Sequence, residues 1–291
     1  MLELSSRGAL LGALASARRV DLAAYTLESG RLLDALGAAA QRGADVRVSL
    51  EAGPYARDSV RAAALREQNE ATAAGLRAHG VSVRLAHDPG APLHLKAAVV
   101  DAALFLDDRN WPAGGNDTIV RTTARAEVSA ARAAIAGREA SAPKIALRKD
   151  RALADEARLI ERTRSDRIDC ESESFSASPV LRALLRAARR GRHVRLLVAS
   201  RELNGGGSRA ERSALRKLRQ SGVDVRAGDS DEKFCVTKES AWLGSANATG
   251  GEPHTIDWGA RTRRVEVVAQ LERRFESNWR AAADRFGSPL R

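Results

Sequence analysis

The sequence predicts an α/β fold made twice over. Three observations carry that prediction: short apolar strands alternate with amphipathic helices, the alternation recurs in the second half, and matching residues keep fixed offsets between the copies. Val20-Asp21-Leu22 matches Ile168-Asp169-Cys170 at an offset of 148, which also takes Arg42-Gly43 to Arg190-Gly191 and Val46-Arg47-Val48 to Val194-Arg195-Leu196. Further along, Gly80-Val81-Ser82-Val83-Arg84 matches Gly222-Val223-Asp224-Val225-Arg226 at 142. Lys96 and Asn110 then match Lys233 and Asn247 at 137. The shrinking offset places two loop deletions in the second copy, one after its second strand and one before its motif.

Each copy reads in the same order. A leading amphipathic helix comes first. In the first copy Leu10, Leu11 and Leu14 recur at helical spacing, which favours a helix over a signal-peptide core for the run 9–17. A strand follows (20–27 or 168–175), then a helix stopped by Arg-Gly, where glycine suits the residue after a helix. Next come a β-branched strand (46–50 or 194–198), another helix and a short strand at Val83 or Val225. A strand pair closes the pattern, 94–101 with 104–106 and 233–237 with 241–243. The segment 136–143, with Gly137 and Pro143, breaks the helical pattern and marks the boundary between a first lobe, 1–140, and a second, 141–291. The C-terminal helix carrying Phe275 and Trp279 is expected to pack on the second sheet.

Composition narrows the partners. Lysine and arginine total 48 against 37 acidic residues, a net charge of +11 that favours anionic partners such as phosphate esters, nucleic acid or phospholipid headgroups. The lysines are only Lys96, Lys144, Lys149, Lys217, Lys233 and Lys238, and two of these six occupy equivalent points of the repeat. No apolar run reaches the ~18–20 residues of a membrane span. A soluble cytoplasmic monomer is expected. Cys170 and Cys235 have no metal-ligand spacing and make no disulfide framework; inside apolar strands they read as free, buried thiols.

The chemistry-bearing residues cluster where the copies match at 137. The first copy reads His94-Leu95-Lys96, then Asp101 and Asn110; the second reads Asp231-Glu232-Lys233, then Gly244-Ser245-Ala246-Asn247. A phosphodiester repels anionic nucleophiles, so a neutral imidazole is a suitable attacker near pH 7. Lys96, two residues on along a strand, is expected on the same face as His94 and able to grip the phosphate. Asn110, Asn247 and Ser245 add neutral donors, and each donor fixed where charge develops contributes on the order of 3–4 kcal/mol.

This twice-repeated frame, H-x-K-x4-D followed by a turn ending in Asn, resembles the phospholipase D superfamily. The resemblance spans essentially the whole chain. It implies two phospholipase D-like lobes, each a mixed sheet flanked by helices, related by a pseudo-twofold axis around one active site. It further implies that one histidine forms a phosphohistidine while a second protonates the leaving alkoxide, with no metal or other cofactor. The carboxylate that orients the attacking imidazole follows the motif of the opposite lobe, which makes Asp257 the partner of His94 and Asp117 its weaker counterpart.

Three positions depart from that pattern. Asp231 stands where the second histidine would be, Lys238 replaces the second motif's Asp, and Asp107-Asp108 replace Gly-Ser. An aspartate is ordinarily ionised at pH 7, so Asp231 suits the role of base better than acid. His254, aligned with Asp117 at 137, is a candidate for the missing proton transfer, against the plain reading of a surface loop histidine. Trp111 is a candidate wall of the cleft or a core residue, and Glu173, aligned with Tyr25, a candidate edge of the pocket. The expected function is a metal-independent phosphodiesterase or phosphatidyltransferase acting through His94 on a phospholipid or other phosphodiester. The alternative is an impaired relative that binds nucleic acid or anionic lipid headgroups, with peripheral contact to an anionic membrane.

Overall fold

The computed structural model describes residues 2–28, 30–56, 58–111, 118–200 and 208–282. The chain divides into two compact units, Met1–Arg148 with His254–Trp258, and Lys149–Pro253 with Gly259–Arg291. Asp117 lies outside the described residues.

The first unit contains β1 (Glu3–Ser5), α1 (Arg7–Leu14), β2 (Arg19–Ala24), α2 (Arg31–Gln41), β3 (Asp45–Glu51), α3 (Ser59–Ala78), β4 (Ser82–Ala86), β5 (Ala97–Val100), β6 (Ala103–Asp107), β7 (Ile119–Thr122) and α4 (Arg125–Ile135). Its seven strands run in the order β1-β7-β6-β5-β2-β3-β4. The strands β2, β3 and β4 are parallel, joined by α2 and α3 as crossovers, while β5, β6, β7 and β1 add antiparallel neighbours. Five of the six residues of β2 are buried, the signature of a strand covered on both faces. Gly43, just after α2, has φ +92°, the left-handed conformation that ends a helix and that a side chain would strain.

The second sheet repeats the topology in the order β11-β10-β9-β12-β13-β14-β8. Its strands are β8 (Ile145–Ala146), β9 (Arg167–Ser172), β10 (His193–Ala199), β11 (Asp224–Gly228), β12 (Phe234–Thr237), β13 (Ser240–Gly244) and β14 (Gly259–Thr262). The accompanying helices are α5 (Lys149–Arg162), α6 (Pro179–Arg189), α7 (Arg209–Gln220) and α8 (Val265–Ala281). Local sequence sets the helix starts. Ser178 Oγ accepts from Leu181 N, with Pro179 in the first turn, and Ser208 with Glu211 forms a capping box on α7. Trp279 and Phe275 of α8 are buried, and Arg195 of β10 lies over both rings, 5.1 and 4.7 Å from their centroids.

A matching aspartate sits in the second strand of each copy. Asp21 accepts from Arg19 and from Arg132 of α4, at 3.0 and 2.9 Å. Asp169 accepts from Arg167 and Arg195, both at 2.7 Å, and Arg195 also holds Glu276 of α8 at 2.7 Å. These buried carboxylates are retained because each is paired.

Three sequence expectations need correction. Strands β1, β7, β8 and β14 were invisible in the pattern, since each has four residues or fewer and carries no alternation of its own. The strand expected at 94 begins only at Ala97, and His94 precedes it. Cys170 and Cys235 are not free: they form a disulfide, because β9 and β12 pair antiparallel with these two residues directly opposite. That register is a tertiary fact, and the 65-residue separation hides it. Among the described residues, no helix is long and apolar enough to cross a membrane.

Candidate functional site

His94 is placed by backbone pairing rather than by a strand of its own. Leu93 bridges in parallel to Ile256; His94 N donates to Ile256 O, and Ile256 N to Pro92 O, both at 2.9 Å. Asp257 follows Ile256 and is thereby brought beside the histidine. His94 Nδ1 lies 2.7 Å from Asp257 Oδ1. A carboxylate only accepts, so Nδ1 carries a hydrogen, and in the neutral ring Nε2 keeps a lone pair. Asp257 is 1% exposed. Trp258 donates its indole N–H to Asp107 O at 2.7 Å, pinning the segment one residue further on.

Around this pair the first unit builds a polar and aromatic shell. Tyr25, just past β2, meets the His94 ring edge-on with centroids 4.9 Å apart. Its hydroxyl donates to Tyr55 O at 3.2 Å. Lys96 is buried, with Nζ 5.6 Å from the Tyr25 centroid. Glu51, at the end of β3, accepts from Leu93 N at 2.8 Å and from Gly53 N at 2.9 Å, which fixes the segment leading into His94. Asn69, fully buried on α3, donates to Tyr25 O and Glu51 O at 2.8 and 2.9 Å. Sequence reasoning missed Glu51 and Asn69. Glu51 had a signal, a carboxylate closing an otherwise apolar strand; Asn69 had none, being one polar residue among many on a helix.

The Asp107-Asp108 departure builds a turn. Asp107 accepts from Arg109 N at 3.1 Å and Trp111 N at 2.7 Å, and Trp111 adopts φ +52°. Asn110 sits within this turn, half-buried. Trp111 packs in the core of the first unit: it is 3% exposed and its indole N–H goes to Ala23 O at 3.3 Å. His254 is exposed, with its ring against the Arg148 guanidinium.

The second unit gathers its own group. Lys233 is buried, 3.1 Å from Glu173 Oε2, and also donates to Asp231 O at 2.9 Å. Asn247 donates to Glu173 Oε2 at 3.4 Å and accepts from Ser174 N at 3.3 Å. Ser245 is fully buried nearby in sequence, and Asp231 is half-buried. Glu173 occupies the position that Tyr25 holds in the first copy, so the two motif lysines meet different partners: an aromatic face at Lys96, a carboxylate at Lys233.

A duplicated mixed sheet with these motifs defines the phospholipase D class of fold. The family described as cardiolipin synthase, PLD-like domain, matches residues 10–117 and 157–279, and the chain belongs to that family within the phospholipase D superfamily. Among solved structures it is similar to the phosphatidylserine synthase of Haemophilus influenzae Rd KW20, with a TM-score of 0.67 and 12% identity over 97% of this chain and 87% of that one. It is also similar to the polyphosphate kinase from Porphyromonas gingivalis, with a TM-score of 0.65 and 17% identity over 100% of this chain. The chain spans about half the length of that kinase, 53%. At such identities the likeness is one of fold. No curated protein matches.

Proposed function

We propose that the first unit is a phosphodiester-cleaving site in which His94 Nε2 attacks phosphorus. The observation that carries this reading is the 2.7 Å contact of His94 Nδ1 with the buried Asp257 carboxylate. It sets the tautomer, aims the ring and stabilises the cation that forms as Nε2 bonds to phosphorus. The P–N bond forms as the P–O bond to the leaving alkoxide breaks, giving a phosphohistidine. Water or an acceptor alcohol then displaces His94, yielding a phosphomonoester or an exchanged diester. Lys96 and Asn110 supply donors for the non-bridging oxygens, and Lys233, Ser245 and Asn247 offer the same chemistry in the second copy. A phosphate oxygen reaching Lys233 must compete with Glu173.

With Asp231 in place of a second histidine, the leaving alkoxide has no imidazolium donor from that motif. The proposed substrates are phospholipids or other phosphodiesters, with turnover fastest for those whose leaving groups depart readily without a proton donor. The test is turnover of aryl phosphodiesters of graded leaving-group acidity. The rate should fall steeply as the leaving group becomes more basic, and His94→Ala should abolish it. A flat dependence, or turnover unchanged in His94→Ala, contradicts the reading.

A second reading, binding of nucleic acid or anionic headgroups without turnover, draws support from Asp231 and the Lys233–Glu173 ion pair. It requires salt-dependent retention of DNA or anionic vesicles that His94→Ala leaves intact, together with no turnover of any diester.

A further inference from the structure

The second sheet carries a polar cluster that the phosphodiester chemistry does not use. Cys170 of β9, Cys235 of β12 and Trp242 of β13 lie directly opposite one another across three strands, so their side chains share one face. Helix α5 packs on β13 and β14 and brings Glu156 to the two sulfurs. One donor atom from each of Glu156, Cys170 and Cys235 lies within 4.8 Å of the others, and all three residues are buried. Glu156 Oε2 has no hydrogen-bond partner among the described residues, although the residue is 3% exposed. A carboxyl in that position is costly unless something fills its coordination.

The duplication shows that the fold does not require these groups. The same register positions in the first sheet are Leu22, Ala98 and Phe105. An apolar row packs there; a Cys-Cys-Trp row with a carboxyl above it packs here. The second copy thus holds two sulfurs and a carboxyl group where the first sheet packs an apolar row.

We propose that Cys170, Cys235 and Glu156 form a binding site for a thiolate-preferring divalent cation, of the Zn2+ kind, in the reduced protein. Two thiolates and one carboxylate are a zinc-type donor set, and three protein donors leave one tetrahedral position for a small ligand such as water. The disulfide and the metal are alternative partners of the same sulfurs. Opening the disulfide consumes two electrons from a thiol reductant: two RSH become RSSR and the protein gains two thiols. Zn2+ then displaces the two thiol protons and the carboxyl proton, and those three protons leave to solvent. Because the site is buried, loading belongs to folding, when the donors first meet.

The experiment purifies the protein under thiol reductant, adds Zn2+, removes excess and measures bound zinc, with Co2+ as a spectroscopic substitute. The wild type should retain about one zinc per chain, show thiolate-to-cobalt charge transfer and rise in Tm with zinc. The double variant Cys170→Leu/Cys235→Ala carries the residues of the first sheet and is expected to fold; it should retain less than a tenth as much. Glu156→Gln should weaken retention at least tenfold while the protein stays folded. Retention in the wild type no greater than in the double variant overturns the proposal and leaves the pair a structural disulfide. Retention that is cysteine-dependent but unchanged in Glu156→Gln overturns the three-donor site.

Discussion

At the scale of single residues, His94 and Asp257 are 163 positions apart in sequence and 2.7 Å apart in space. Replacing Asp257 with Asn keeps the shape but offers Nδ1 an amide that can donate, which favours the wrong tautomer. Turnover should fall by about 10²–10⁴-fold with the fold intact, measured as kcat on an activated diester against circular dichroism of the same sample. Tyr25→Phe keeps the ring edge against His94 and loses the hydroxyl contacts to the Tyr55 backbone. It should therefore retain activity within about tenfold, whereas Tyr25→Ala should lose more, since the aromatic wall beside His94 and Lys96 goes with it. In the sequence the duplicated motif marks His94, Lys96 and Asn110, and the family resemblance alone points to Asp257, whose carboxylate lies 2.7 Å from His94 Nδ1. Trp111 stays open between wall and core in the sequence, because nothing local signals the left-handed φ of +52° at that residue.

At the scale of elements, the sequence showed the long apolar strands and the capped helices but not the short edge strands. Strands β2, β3, β9 and β10 were legible because apolar residues recur at every second position along each, as in Val46, Val48 and Leu50 or Val194, Leu196 and Val198. Strands β1 and β8 are three and two residues long and exist only by pairing with a neighbour. How helices lock to sheets is testable. A Cβ on Gly259 would lie 2.7 Å from Ala152 Cβ and 2.9 Å from the Trp242 ring, so Gly259→Ala should cost about 1–3 kcal/mol in chemical denaturation. Glu276 on α8 has its carboxyl held below its ordinary value near 4.5 by the hydrogen bond from Arg195, with the charges of Arg195 and Arg167 adding to it against the opposing effect of burial. A lowered folded value contributes stability that is present above the unfolded value and is lost as pH falls. The wild type should therefore lose stability more steeply than Glu276→Gln as pH drops below about 4.5, read as Tm against pH.

At the scale of the whole molecule, duplication accounts for most of what the sequence revealed. Fixed offsets between the copies exposed the two-sheet architecture and aligned the motifs. Divergence between the copies accounts for what it hid: Tyr25 became Glu173, and the apolar pair Leu22 and Ala98 became Cys170 and Cys235. Chain order gives residues 254–258 to the second copy, but they group with the first unit, in keeping with the pairing of Asp257 with His94 that the resemblance implies. The net charge of +11 predicts that affinity for any anionic substrate falls with added salt, seen as a rising KM between low and moderate ionic strength. The central claim is that His94 becomes covalently phosphorylated. Its most direct test is to mix the protein with an activated phosphodiester, quench in alkali, where phosphohistidine survives, and map the adduct by mass spectrometry. The account predicts a phosphoryl adduct on the peptide containing His94, absent in His94→Ala and enriched when the acceptor is withheld. Turnover of the diester with no adduct at His94 would contradict it.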